Sequence, residues 1–149
     1  MRNARPSEVA AVVANIDPDA YAAGTYTSDW VDLSKFNDVL AIVQAGDLGA
    51  AATVDAKLEQ ATTSAGAGAK DIAGKAITQL TKAGADDNKQ ALINLNDSQL
   101  DVNGGYRFAR LSITVGTAAC DAGGVLLGFN PRQGPASDHD IATVDEIVN

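Results

Sequence analysis

The chain has 149 residues, 46% of them hydrophobic, which is enough for one buried core and a squeeze for two. Acidic residues outnumber basic ones 19 to 11, for a net charge of -8, which argues against a protein that grips nucleic-acid backbones, and no apolar run reaches the ~18 residues of a membrane span. One cysteine, Cys120, and one histidine, His139, leave no material for a disulfide framework, a Cys-based zinc site or a His-dependent triad.

Residues 1–23 read as an N-terminal arm. Met1 to Arg5 is small, polar and basic, Pro6 breaks regular structure, and no apolar stretch resembles a signal peptide. Val9, Val12, Val13 and Ile16 fit a helical stripe capped by Ser7. They fit equally an extended segment stopped by Asp17-Pro18-Asp19, which is favoured because two helical turns are marginal alone.

From Gly24 to Asn130 the pattern is β. Thr25 to Val31 alternates and is rich in strand formers. Val39-Leu-Ala-Ile-Val43 is a continuous apolar run, the signature of a strand covered on both faces. Gly46 to Gly49 reads as a turn. Residues 52–60 alternate cleanly: Ala52, Val54, Ala56 and Leu58 share one face, Thr53, Asp55, Lys57 and Glu59 the other. Thr62–Ala69 is a small-residue loop, expected to be mobile or to touch a partner. Ile72 to Leu80 reads as a strand bulged at Gly74, Gly84 to Asn88 as a turn, and Gln90 to Leu95 as a strand. A polar connection, 97–105, ends in Asn103-Gly104-Gly105. Residues 106–115 alternate with a change of side, Asp121 to Gly124 reads as a turn, and Val125 to Phe129 as the last strand.

Such a run of about seven or eight short strands with Gly-rich turns predicts an all-β fold, an antiparallel sandwich of jelly-roll type. The excess of Asp (16) over Glu (3) agrees, since Asp serves turns better than helices. The predicted domain spans 24–130. Residues 131–149 read as a C-terminal arm, an acidic tail with Ile141, Val144, Ile147 and Val148 as apolar points. It suits a short helix capped by Ser137 or Asp138, or a strand completed on a neighbour.

Chemistry-bearing motifs are sparse. Asp138-His139-Asp140 pairs a base with carboxylates, but no Ser or Cys motif accompanies it, and a solvated or interface tail is the better reading. Cys120 has Asp121 beside it, which raises a thiol pKa rather than lowering it. Asp86-Asp87-Asn88 and Asp17-Pro18-Asp19 supply hard oxygens, yet neither matches a calcium loop and turns account for both. Tyr21, Tyr26 and Trp30 raise the alternative of a sugar platform, against which a core anchor is the simpler role for Trp30. The expectation is therefore a non-enzymatic protein without cofactor or metal.

Several stretches carry a family resemblance: Ile16-Asp-Pro18, Tyr21-Ala-Ala-Gly-Thr25, Trp30-Val-Asp-Leu33, Val54 to Ala61, Gly68 to Ile72, Ala76 to Leu80, Asp87 to Gln90, Arg110 to Gly116 and Leu127-Gly-Phe129. Together they resemble small structural proteins of tailed bacteriophages and prophages, over residues about 12–135. These are strand and turn patterns rather than active-site signatures. The resemblance implies a virion component, with a head decoration or cement protein preferred over a neck, tail or fibre-base subunit. Its implied partners are the major capsid protein and copies of itself, with no nucleic acid and no membrane. Its implied place is the capsid surface of the virion, after synthesis in the host cytoplasm. Arms add interface area without a second core, so the expected contact residues are Arg2, Arg5, Val9, Val12 and Val13 in the first arm and Ile141, Val144, Ile147 and Val148 in the last.

Overall fold

A computed structural model describes residues 4–148. One helical turn, α1 (Pro6–Val9), leads into ten strands: β1 (Ala10–Tyr21), β2 (Gly24–Thr27), β3 (Val31–Asp32), β4 (Phe36–Leu48), β5 (Thr53–Ala61), β6 (Lys70–Ala76), β7 (Leu80–Thr81), β8 (Gln90–Asn96), β9 (Phe108–Gly116) and β10 (Cys120–Pro131). Two 3-10 turns, Asp97–Gln99 and Val102–Gly104, precede β9, and a third, Ala136–His139, follows β10. Among the described residues no helix is long and apolar enough to cross a membrane.

The first sheet has the order β1-β10-β4-β8; the second runs β2-β9-β5-β6, with β3 also on β9 and β7 also on β5. Every pairing is antiparallel. β2 and β3 pair with successive stretches of β9, and β6 and β7 with successive stretches of β5, so each pair is one interrupted strand. Counted that way, eight strands stand in the orders 1-8-3-6 and 2-7-4-5, a jelly roll. The all-β sandwich expected from the alternation is the observed fold.

The core lies between the sheets. Val54, Leu58, Leu111, Ile113 and Val115 from the second sheet meet Val39, Val43, Leu95 and Leu126 from the first, all essentially inaccessible. Small residues set the spacing. A Cβ on Gly124 would lie 2.5 Å from Leu111 Cδ2, and one on Gly128 would lie 2.8 Å from the Phe36 ring. These glycines are flat spots on β10 into which the facing side chains pack.

The strands expected at Thr25–Val31 and Ile72–Leu80 are each interrupted, and three further boundaries differ from the sequence reading. Asp121 to Gly124 is not a turn but the interior of β10, since its glycines serve close approach: a Cβ on Gly123 would sit 3.0 Å from Pro18 Cα. β4 continues through Gly46 to Leu48, where a Cβ on Gly46 would strike Asp121 across the strand pair. Finally, Ala10–Tyr21 does not extend away from the domain. It is a strand of the first sheet, hydrogen-bonded along β10.

Candidate interaction surface

The C-terminal segment folds back onto its own domain. Ala136 is fully buried against Phe36 and Ala11. The His139 ring meets the Phe36 ring edge-on at 5.3 Å. The Val12 N–H donates to Asp140 Oδ1 (2.7 Å), and the Ile141 N–H donates to the Val12 carbonyl (2.8 Å). An open strand edge invites pairing with another chain, and these two bonds cover the outer edge of β1 at Val12. The carboxylate of Asp140 is thus engaged with the backbone, and His139 with an aromatic ring. At the opposite edge of that sheet, Lys75 Nζ caps the Asn94 carbonyl (2.6 Å), and the Asn96 N–H donates to Gln99 Oε1 (2.9 Å).

This placement revises the predicted contact residues. Arg2 lies outside the described residues. Arg5 is exposed, with its backbone N–H donating to Glu8 (2.7 Å). Val9 is half-buried in α1, and Val13 packs against the core, so neither is a free arm residue. Val12 is half-buried on β1 opposite Leu127. Ile141 and Val144 are half-buried, joined by a turn in which the Val144 N–H donates to the Ile141 carbonyl (3.0 Å). Ile147 (41% exposed) and Val148 (85%) remain outward. β1 pairs with β10 on one side, and burial of Ala11, Ala14 and Ile16 drives it into the sandwich. That is the physical reason the expected first arm is mostly strand. The helical turn at α1 and the 3-10 turn of the C-terminal segment pack side by side, so the structure brings the two chain ends together.

The two outer faces of the sandwich differ. On the second sheet, Arg110 bonds Glu59 (2.7 Å), Lys57 bonds Asp71 (2.7 Å), Arg107 bonds Asp32 (2.9 Å) and Thr25 meets Thr114 (3.0 Å). Ion pairs of this kind belong to a solvated face and contribute little singly. The first sheet presents four cross-strand rows instead. Ala10, Phe129, Asp38 and Asn96 form one; Val12, Leu127, Leu40 and Asn94 the next; Asn15, Val125, Ile42 and Leu92 the third; Gly123, Gln44 and Gln90 the last. The middle rows are apolar apart from Asn94 and Asn15 at their ends, and Leu92 is 61% exposed. Asp38 is the one charge in these rows; donors from Asn96 and Asn130 (both 2.8 Å) hold its carboxyl below the usual carboxylate range. An open depression of about 480 Å³ lies beyond the last row, lined by Pro18, Asp19, Gln44, Gln90, Asp121 and Gly123 among others.

The other candidates from the sequence are accounted for by local structure. Asp86 accepts from the Thr81 N–H and Lys89 Nζ; Asp87 accepts from the Leu48 N–H and Lys82 Nζ. Among the described residues no group of three or more His, Cys, Asp or Glu is arranged to hold a metal. Trp30 lies under the Arg110 guanidinium at 4.5 Å, and a Cβ on Gly66 would come within 2.8 Å of its Nε1. Tyr21 and Tyr26 stack on each other at 4.2 Å. The aromatic group therefore splits in two. The Thr62–Ala69 loop is tied by its own bonds, including Thr62 to Ala67 (3.0 Å), and by the Tyr106 hydroxyl on the Gly68 carbonyl (2.9 Å). Cys120 opens β10 rather than sitting in a loop; burial pushes its thiol pKa up and Asp121 adds to the shift.

Fold and surface together define a jelly-roll sandwich with both edges of one sheet capped in part and that sheet's outer face apolar at its centre. No protein-family model matches the chain, and no curated protein matches it.

Proposed function

We propose that this chain is a non-enzymatic structural protein of a phage virion, a decoration or cement protein that stabilises the head. It binds the major capsid protein lattice through its chain ends, beside further copies of itself. It works on the capsid surface after synthesis in the host cytoplasm and uses no cofactor. The observation that carries this reading is the convergence of the two ends. α1 and the C-terminal 3-10 turn lie together against β1, and the tail beyond them ends with Ile147 and Val148 outward. A rigid sandwich offers such a corner at little entropic cost, because most of its residues are already ordered. The jelly roll is an architecture common among capsid and lectin proteins, which is support by analogy only. The net charge of -8 favours solubility of the free subunit before assembly.

The test is binding to purified capsids that lack the protein. A chain without residues 1–5 and 145–149 keeps the Asp140 and Ile141 bonds to β1. It is expected to co-sediment with capsids at least roughly tenfold more weakly than the full chain, the equivalent of about 1.4 kcal/mol of contact. Equal binding by the two forms overturns the assignment of the ends as the contact.

A further inference from the structure

We infer that the apolar outer face of the β1-β10-β4-β8 sheet is the contact between two copies of this chain, stacked face to face. The inference stands independently of where the protein acts. It starts from the strands' composition. β4 carries Val39-Leu40-Ala41-Ile42-Val43 and β10 carries Val125-Leu126-Leu127-Gly128-Phe129. Continuous apolar runs of this kind belong to strands covered on both faces. Within one chain only the inner face is covered, by the second sheet; Leu40, Ile42, Val125, Leu127 and Phe129 alternate with the core residues and point the other way.

Each edge of this sheet is covered at one end. Asp140 and Ile141 occupy β1 at Val12, and Lys75 and Gln99 occupy β8 at Asn94 and Asn96. These contacts hinder strand addition at those points and leave the face as the broader surface for association. The opposite face of the sandwich carries cross-strand ion pairs, which would each lose solvation on covering. The apolar face carries one charge, Asp38, in an end row, already held by two amide donors. Two copies can stack with the apolar middle rows opposed without burying a cation or an unpartnered carboxylate there.

The size is adequate. Four strands ~4.8 Å apart and rows from Asp38 to Gln44 at ~3.3 Å per residue give a face of roughly 400 Å² in projection, and side-chain relief raises the accessible area. Two such faces come to roughly 800 Å² in projection and, with that relief, to on the order of 1,000 Å², the lower bound for a specific interface. Sheets stacked this way stand about 10 Å apart with interdigitating side chains.

Sedimentation equilibrium of the full chain across roughly 1–200 µM tests this, a range that brackets a micromolar Kd. A dimer is expected. Leu92→Lys changes a side chain that is already mostly exposed, and Leu127→Lys changes the centre of the face, two strands away from the β8 edge. Both are expected to weaken the dimer by about 100-fold, through two buried ammonium groups per complex, and Leu92→Ala by about tenfold. Thr114→Lys on the opposite face is expected to leave it intact. Circular dichroism of each variant confirms the fold. A monomer throughout the range, an assembly of another stoichiometry, or a dimer indifferent to Leu127→Lys overturns the inference. Sensitivity to Leu92→Lys alone also overturns it, because it marks edge pairing through β8.

Discussion

The spacing of the two sheets at Gly124 and Leu111 makes a sharp test of the packing. Leu111 is fully buried, and its Cδ2 lies 2.5 Å from where a Gly124 Cβ would stand, with Ile113 Cδ1 at 3.5 Å. Carbon atoms settle at about 3.5–4.0 Å, so Gly124→Ala forces a movement of about 1 Å in a packed core, at a cost of about 1–3 kcal/mol. Leu111→Ala alone leaves a cavity and costs about 2–5 kcal/mol. In the double variant the new methyl enters the space left by the leucine. The collision is gone and the cavity is partly filled, while the ~0.5–1 kcal/mol from glycine's lost freedom in the unfolded chain is common to Gly124→Ala alone and cancels from the comparison. The double variant is therefore expected to be at least about 1 kcal/mol more stable than the sum of the single effects. Urea unfolding at one fixed protein concentration measures all four forms, the concentration being held because the proposed self-association would contribute to stability. Additivity to within about 0.3–0.5 kcal/mol would refute the packing described here.

Three more outcomes follow from particular residues. Thr117 is a β-branched residue at φ 69° in the turn between β9 and β10, and Thr117→Gly is expected to raise stability by on the order of 1 kcal/mol, read as a higher urea midpoint. The buried Cys120 thiol is expected to react with a maleimide at least roughly 100-fold more slowly in the native protein than in urea, followed by mass spectrometry; comparable rates would place it at the surface. Asp87 has its carboxyl pKa held down, first by the Leu48 N–H and then by Lys82. The unfolded state then binds the proton more readily, so this stability is present above the ordinary carboxylate pKa and is lost as pH falls from about 4 through the lower folded value. Asp87→Asn is expected to flatten that acid limb of the urea midpoint, and an unchanged limb would contradict the assigned bonds.

Period-two alternation made most of the sandwich readable. Residues 53–61 keep the inward set Val54, Ala56 and Leu58 that their pattern demands, and the turn at Gly84 to Asn88 lies where its Asp and Asn residues put it. Glycine misled at 121–124, because a pair of glycines signals a turn and close backbone approach equally; only the position of Leu111 and Pro18 across from them separates the two. Val9 to Ile16 looked like an arm because its apolar spacing fits a helical stripe as well as an extended segment. A register shift between Val12 and Ala14, pairing them with Leu127 and Leu126, breaks the alternation that would have marked a strand. The apolar face was half legible. The run at Val39 to Val43 pointed to covering on both sides, but no local pattern says whether the second cover comes from the same chain. The capping of β1 by Asp140 and Ile141 joins residues about 130 positions apart and leaves no sequence signal.

The central claim is that this chain is a component of a virion head. Its position and copy number in intact particles, by cryo-electron microscopy with quantitative mass spectrometry, test that most directly. The account predicts copies on the outer surface of the capsid, on the order of hundreds per particle as lattice symmetry multiplies each site. A single small ring at the neck or tail, or no copies in the particle at all, would contradict it.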